Sequence, residues 1–229
     1  SGDASEVSVL VPRLVEARCT GCGLCAKACR FGAILAIGGV ITIDPKVCKG
    51  CGACVNACPA AALEEIPMTV GQTSSFDADG LAILEGRMAI GDIRSTVVIE
   101  AAKKRAAESG AALQIRDCPP GVSCPATHAI EGADYVVLVA EPTEFSIHDL
   151  GAAVRLARGR GVPAGVVINK DGFGDADIAG FCEREGIPVI GRIAFKRERA
   201  ASGAAAEPWS DDAAISGEID AILALAATV

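Results

Sequence analysis

The stretch Cys19-Thr20-Gly21-Cys22-Gly23-Leu24-Cys25-Ala26-Lys27-Ala28-Cys29 decides how the first part of this chain folds. It is answered by Cys48-Lys49-Gly50-Cys51-Gly52-Ala53-Cys54-Val55-Asn56-Ala57-Cys58-Pro59. Both read CxxCxxCxxxC, so eight of the eleven cysteines fall between residues 19 and 58. Such a run wraps three thiolates around one cubane, and the turn that follows aims the fourth at the neighbouring cubane. Two runs therefore predict two 4Fe–4S clusters with crossed fourth ligands. One is assigned to Cys19, Cys22, Cys25 and Cys58, the other to Cys48, Cys51, Cys54 and Cys29. Gly21, Gly23, Gly50 and Gly52 allow the tight wrapping turns and bring amide N–H groups towards sulfur. Disulfides or four-cysteine zinc sites are the alternatives. No secretory signal accompanies the runs, and zinc sites come as CxxC pairs rather than triplets. Arg30 stands where the second run carries Pro59, which relaxes the local turn without removing a ligand.

Between the runs, Ala33–Asp44 reads as a hairpin turning at Gly38-Gly39. Past Pro67 only three cysteines remain, and β-branched runs alternate with Ala-rich segments. Residues 68–75 and 81–88 flank Asp77-Ala78-Asp79-Gly80 as a second hairpin. Residues 93–109 read as a helix stopped by Gly110. Apolar strands are expected at 112–118, 135–141, 164–170 and 188–194, with helices near 148–158, 175–185 and 216–228. Strands buried on both faces and separated by helices argue for a parallel sheet, whose ligands bind at the strands' carboxyl ends. The fold class expected is α/β, a mostly parallel sheet with flanking helices, plus a small α+β two-cluster domain.

The chain has 229 residues, 51% hydrophobic and 22% charged, with a formal net charge of −8. Disordered and fibrous classes are excluded by that composition. The acidic balance, with one Trp, one Tyr and six Phe, argues against nucleic acid as a partner. No apolar run approaches the ~18 residues that span a bilayer.

Residues 17–66 resemble bacterial two-cluster ferredoxins. Over nearly the whole chain, the paired runs are followed in order by DCPPGVSCP (117–125), GADYVVLVAEPTEFSIHDL (132–150), GVVINK (165–170) and EGIPVIGRI (185–193). This ordered set resembles the MinD/Mrp/ParA-type P-loop ATPases, in the branch with an inserted ferredoxin domain. The resemblance implies that Asp117 is the acid holding the water shell of Mg²⁺. It also implies that Gly121 flexes beside the γ-phosphate and that Asn169 contacts adenine. The residues also fit a blander reading, an Asp capping a turn and an Asn capping a helix.

No GxxxxGK[ST] phosphate loop occurs in these residues, so ATP binding and hydrolysis by this chain alone are expected to be weak. Residues 1–16 read as a switch-like remnant and linker, because Ser1-Gly2-Asp3-Ala4-Ser5 resembles the tail of the family's switch segment. Residues 17–66 then form the ferredoxin domain and 67–229 a MinD-like α/β domain whose N-terminal strands are missing. A missing half supplied by a P-loop-bearing partner chain, a half that has been cut off, and a degenerate fold that only carries electrons each fit that reading; a homodimer is the other partner expected. Cys118 and Cys124 could supply a third metal or cluster site, whereas Cys182 reads as core. The expected function is electron transfer to a docked redox partner protein in the cytoplasm of an anaerobic or low-oxygen prokaryote. A half-ATPase and a carrier that inserts metal clusters through Cys118 and Cys124 are the alternatives.

Overall fold

A computed structural model describes residues 3–78, 80–198, 201 and 213–226. The chain divides into two compact units, Ser1–Ile115 and Arg116–Val229. The division falls inside the stretch 67–229 that the sequence suggested was one domain. The reason is that the second hairpin joins the N-terminal strand rather than the parallel sheet.

In the first unit, β1 (Asp3–Leu14) lies antiparallel to β4 (Leu63–Ala78), which lies antiparallel to β5 (Leu81–Met88). Val7, Val9 and Val11 recur at every second residue on the covered face, as a strand with one buried side requires. Residues 3–14, expected as remnant and linker, thus form a twelve-residue strand. Ser1, Gly2 and, in the hairpin turn, Asp79 lie outside the described residues. A register shift at Val7/Ser8 marks a bulge. Helix α3 (Ser95–Glu108) buries Val98 against Val7 and Val70. Gly71 and Gly86 make room for it: a Cβ on either would come within 2.8 and 3.0 Å of the Val98 methyls.

The cysteine-rich module is inserted between β1 and β4. It comprises α1 (Leu24–Ala28), the antiparallel hairpin β2 (Ile34–Ile37) and β3 (Val40–Ile43), and α2 (Ala53–Asn56). The chain enters and leaves it on paired strands: Leu14 sits opposite Leu63, and the Val15 amide donates to the Ala62 carbonyl at 2.8 Å. Glu64 clamps this neck by accepting from both Arg13 and Arg18.

The second unit comprises α4 (Cys124–Ile130), β6 (Val136–Ala140), α5 (Glu144–Gly159), β7 (Ala164–Asp171), α6 (Ile178–Glu185), β8 (Val189–Ala194) and α7 (Ala213–Ala226). Its three strands are parallel in the order β6-β7-β8. Val166 and Ile168 are buried against Leu150, Val154, Ile178 and Cys182. The Thr143 hydroxyl starts α5 by accepting from the Ser146 amide at 3.1 Å. Residues 112–118, expected as a further strand, are irregular. A parallel strand is held by its ladder, and among the described residues the sheet stops at β6. The expectation of a mostly parallel sheet therefore holds for the second unit, while the first is antiparallel. Residues 227–228, included in the expected last helix, lie outside the described residues.

Candidate cluster-binding site

Two cavities in the first unit divide the eight cysteines. One is lined by Cys19, Cys22, Cys25 and Cys58, with Gly23, Ile41 and Leu63 among its walls. The other is lined by Cys29, Cys48, Cys51 and Cys54, with Gly50, Ile34 and Phe31. Each cavity takes three cysteines from one run and the fourth from the other. The loop of each run supplies the first thiols, a short helix carries the third, and the crossed fourth follows directly after α1 as Cys29 and two residues after α2 as Cys58.

Local sequence makes this wrapping possible. Gly23 and Gly52 cap α1 and α2 at φ +73° and +70°, a left-handed conformation in which a Cβ is strained. Gly21 packs directly under the β2–β3 turn, where a Cβ would lie 2.6 Å from the Gly39 carbonyl oxygen. Gly50 occupies the matching place against β1, within 3.1 Å of the Leu10 carbonyl oxygen by the same measure.

Backbone amides already point at sulfur. Gly21 N–H faces Cys19 Sγ at 3.4 Å, Gly50 N–H faces Cys48 Sγ at 3.4 Å, and Ala62 N–H faces Cys58 Sγ at 3.3 Å. Such donors stabilise thiolate and sulfide charge. All eight cysteines are free thiols: Cys25, Cys48 and Cys54 are buried, while Cys22 and Cys51 reach solvent. Burial pushes the Cys25 and Cys54 thiols up, whereas hydrogen bonding from the Leu24 backbone draws Cys22 down. Loading metal into these seats therefore releases protons. Four soft thiols per cavity, crossed between runs and ringed by N–H donors, fit an iron–sulfur cubane.

The second unit carries the remaining candidates. Asp117 is exposed in irregular chain rather than at a strand's end, and Gly121 follows at φ +81° with open space around its Cα. Asn169 lies near the carboxyl end of β7, two residues before its last, and its side-chain oxygen accepts from the Lys170 amide at 3.0 Å. Lys170 adopts φ +53° and pairs with Glu141 across the carboxyl ends of β7 and β6 at 2.7 Å. Cys118 and Cys124 are both exposed. The Cys118 thiol donates to the Arg116 carbonyl at 3.5 Å, and Cys124 opens α4. Cys182 is buried in the core, as expected.

Sequence reading missed Asp92 and Arg94, a buried ion pair beside the Cys48 loop. Both lie in the short connection 89–94, AIGDIR, where a lone Asp and a lone Arg carry no sign of burial. It also missed the neck clamp of Glu64 with Arg13 and Arg18, which joins residues on either side of the cysteine module.

A family model described as a 4Fe-4S dicluster domain matches residues 18–62. The match supports 4Fe–4S binding within that segment. Two uncharacterized proteins of Methanocaldococcus jannaschii are similar over a longer range. MJ0578 is 33% identical over 155 residues, which are 68% of this chain and 54% of the relative. MJ0579 is 24% identical over 175 residues, 76% of this chain and 63% of the relative. The aligned part thus spans just over half of the first relative and under two thirds of the second. No helix among the described residues is long and apolar enough to cross a membrane.

Proposed function

We propose that this protein is an electron carrier holding two 4Fe–4S clusters, one on Cys19, Cys22, Cys25 and Cys58 and the other on Cys29, Cys48, Cys51 and Cys54. The observation that carries the reading is the partition of the eight cysteines between two cavities, three from one run and one from the other in each. When bound, the clusters supply one-electron transfer, within a window of roughly −700 to +450 mV. The chain's own residues seat them, donate N–H groups to sulfur and screen the buried ligands from water. Cys22 and Cys51, the exposed member of each set, give electrons a short way out to a docked redox partner protein.

The test is anaerobic iron and sulfide quantitation with EPR of the reduced protein. About eight irons, from two four-iron clusters, and a spectrum of two interacting centres are expected. Zinc with iron near zero would refute the reading. Cys22→Ser and Cys51→Ser should each perturb a different one of the two EPR signals.

A second reading concerns the Arg116–Val229 unit. Its alternation β6-α5-β7-α6-β8 on a parallel sheet, with Glu141 and Asn169-Lys170 at the carboxyl ends, supports a MinD-like scaffold. On this reading Asp117 and Gly121 face Mg²⁺ and the γ-phosphate, and Asn169 faces adenine, once another segment or a partner chain supplies the phosphate loop. ATP hydrolysis is then expected only when that loop is present. Cys118→Ser with Cys124→Ser tests the cluster-carrier alternative: unchanged iron content and unchanged cluster delivery to an acceptor remove it.

A further inference from the structure

Among the described residues, Arg94 is the one arginine or lysine buried from solvent, with 2% of its surface exposed. It lies between β5 and α3, in the same compact unit as the cysteine module. A guanidinium has five N–H donors in a rigid fork, and Arg94 uses all of them. Nε donates to Asp92 Oδ1 at 2.9 Å, and one terminal nitrogen donates to Asp92 Oδ2 and, at 3.7 Å, faces the Met68 sulfur. The other terminal nitrogen donates to the carbonyls of Pro45 and Cys48, both at 3.2 Å. The Asp92 side chain is itself only 7% exposed.

This pair is neutral overall but oriented. Its carboxylate lies on the Nε side, while its cationic edge grips the backbone of Cys48, the first thiol of the second cavity. Burial of both partners means that water does not screen that dipole as it would at the surface. Among the described residues the first run has no buried cation beside it: Arg18 is 43% exposed and engaged by Glu64 at the neck, and Lys27, whose charge reaches Cys22, is exposed.

We infer that the Arg94–Asp92 pair positions the Cys48 loop and raises the reduction potential of the cluster held by Cys29, Cys48, Cys51 and Cys54, leaving its twin untouched. The inference rests on the two-cluster reading above. Reduction places one electron from an external donor on that cluster, adding one negative charge beside the cationic edge of the pair. A buried positive end favours the more negative state. Two nearly identical cysteine runs are thereby made unequal, which gives an electron entering the protein a preferred resting place.

The experiment is a dithionite titration of the anaerobically purified full chain, followed by EPR, on wild type and two variants. D92N keeps the cation and removes the opposing charge, so one of the two reductive waves should move up. The double variant R94Q with D92N leaves a neutral hydrogen-bonding pair, so the same wave should move down. A tenfold change in the reduced-to-oxidised ratio at fixed potential, ~59 mV for a one-electron couple, is the expected scale of each shift. Cys51→Ser identifies which wave belongs to the second cavity. Opposite signs on that one wave, with iron and sulfide content unchanged, support the inference. A loosened loop without an electrostatic role would move the wave in the same direction in both variants, and that result overturns it. So does a wave that stays in place, or a shift shared by both waves. A single wave from a protein holding about eight irons also overturns the inference, whereas iron far below that count means that the two-cluster reading fails instead.

Discussion

Gly21→Ala is the substitution whose cost follows most directly from the geometry. Gly21 sits at φ +68° in the first cysteine loop, and an added Cβ would stand 2.6 Å from the Gly39 oxygen and 3.1 Å from its Cα. Gly32 has the same φ, +68°, but nothing lies within 4 Å of its added Cβ. Left-handed backbone costs a non-glycine residue ~1–2 kcal/mol, and both variants incur it. Only Gly21→Ala adds a clash with backbone of the β2–β3 turn. That clash cannot be relieved by rotating a side chain, and overpacking of this kind costs a further ~1–3 kcal/mol. Gly21→Ala should therefore lose about 3 kcal/mol and Gly32→Ala about 1.

The assay is urea unfolding of the cluster-loaded, anaerobic protein, read at the cluster absorbance so that the first unit is followed separately from the second. A chelator challenge should strip iron faster from Gly21→Ala than from Gly32→Ala. Equal midpoints and equal iron retention in the two variants would refute the packing of the first cysteine loop beneath the hairpin turn.

Further perturbations probe other parts of the chain. Hydrogen bonds from Arg13 and Arg18 hold the Glu64 carboxyl below its ordinary value, so its contribution is complete above the unfolded carboxylate range. That contribution is lost as pH falls through the depressed folded value; Glu64→Gln should flatten this acid limb in unfolding midpoints measured at falling pH. Thr143→Ala removes the N-cap of α5 and should cost the second unit ~1 kcal/mol, whereas Thr143→Ser should restore it in the same melt. Val166, with 0% of its surface exposed at the centre of the parallel sheet, should cost about 2 kcal/mol as alanine, through lost burial and the cavity left behind. That loss should appear in the second unit's transition while cluster absorbance persists.

The parts legible in the sequence were those set by short-range rules. Gly38-Gly39 turns a hairpin, Gly110 follows the end of α3, and the segments around 136–140, 164–171 and 189–194 are strands joined by helices. What was not legible depended on partners far along the chain. Residues 112–118 carry apolar residues at strand spacing, yet a strand also needs a neighbour, and here the sheet ends at β6. Residues 3–14 carry valines at 7, 9 and 11 with the period of a strand, but their partner is β4, which follows the whole cysteine module. Asp92 and Arg94 gave no local sign of burial, because the carbonyls that satisfy Arg94 belong to Pro45 and Cys48.

The chemistry of the first unit is therefore written in the sequence by spacing alone. CxxCxxCxxxC, repeated with glycines between the thiols, constrains both the ligand type and the way the backbone wraps, since few residues separate each ligand from the next. Tertiary structure decided what surrounds that chemistry. Pairing of β1 with β4 closes the neck of the module, the β2–β3 turn packs onto Gly21, and one buried guanidinium is aimed at the second loop and not the first. These are contacts between residues tens of positions apart. They exist only once the chain has folded, because their stabilisation depends on burial and on the loss of competing water.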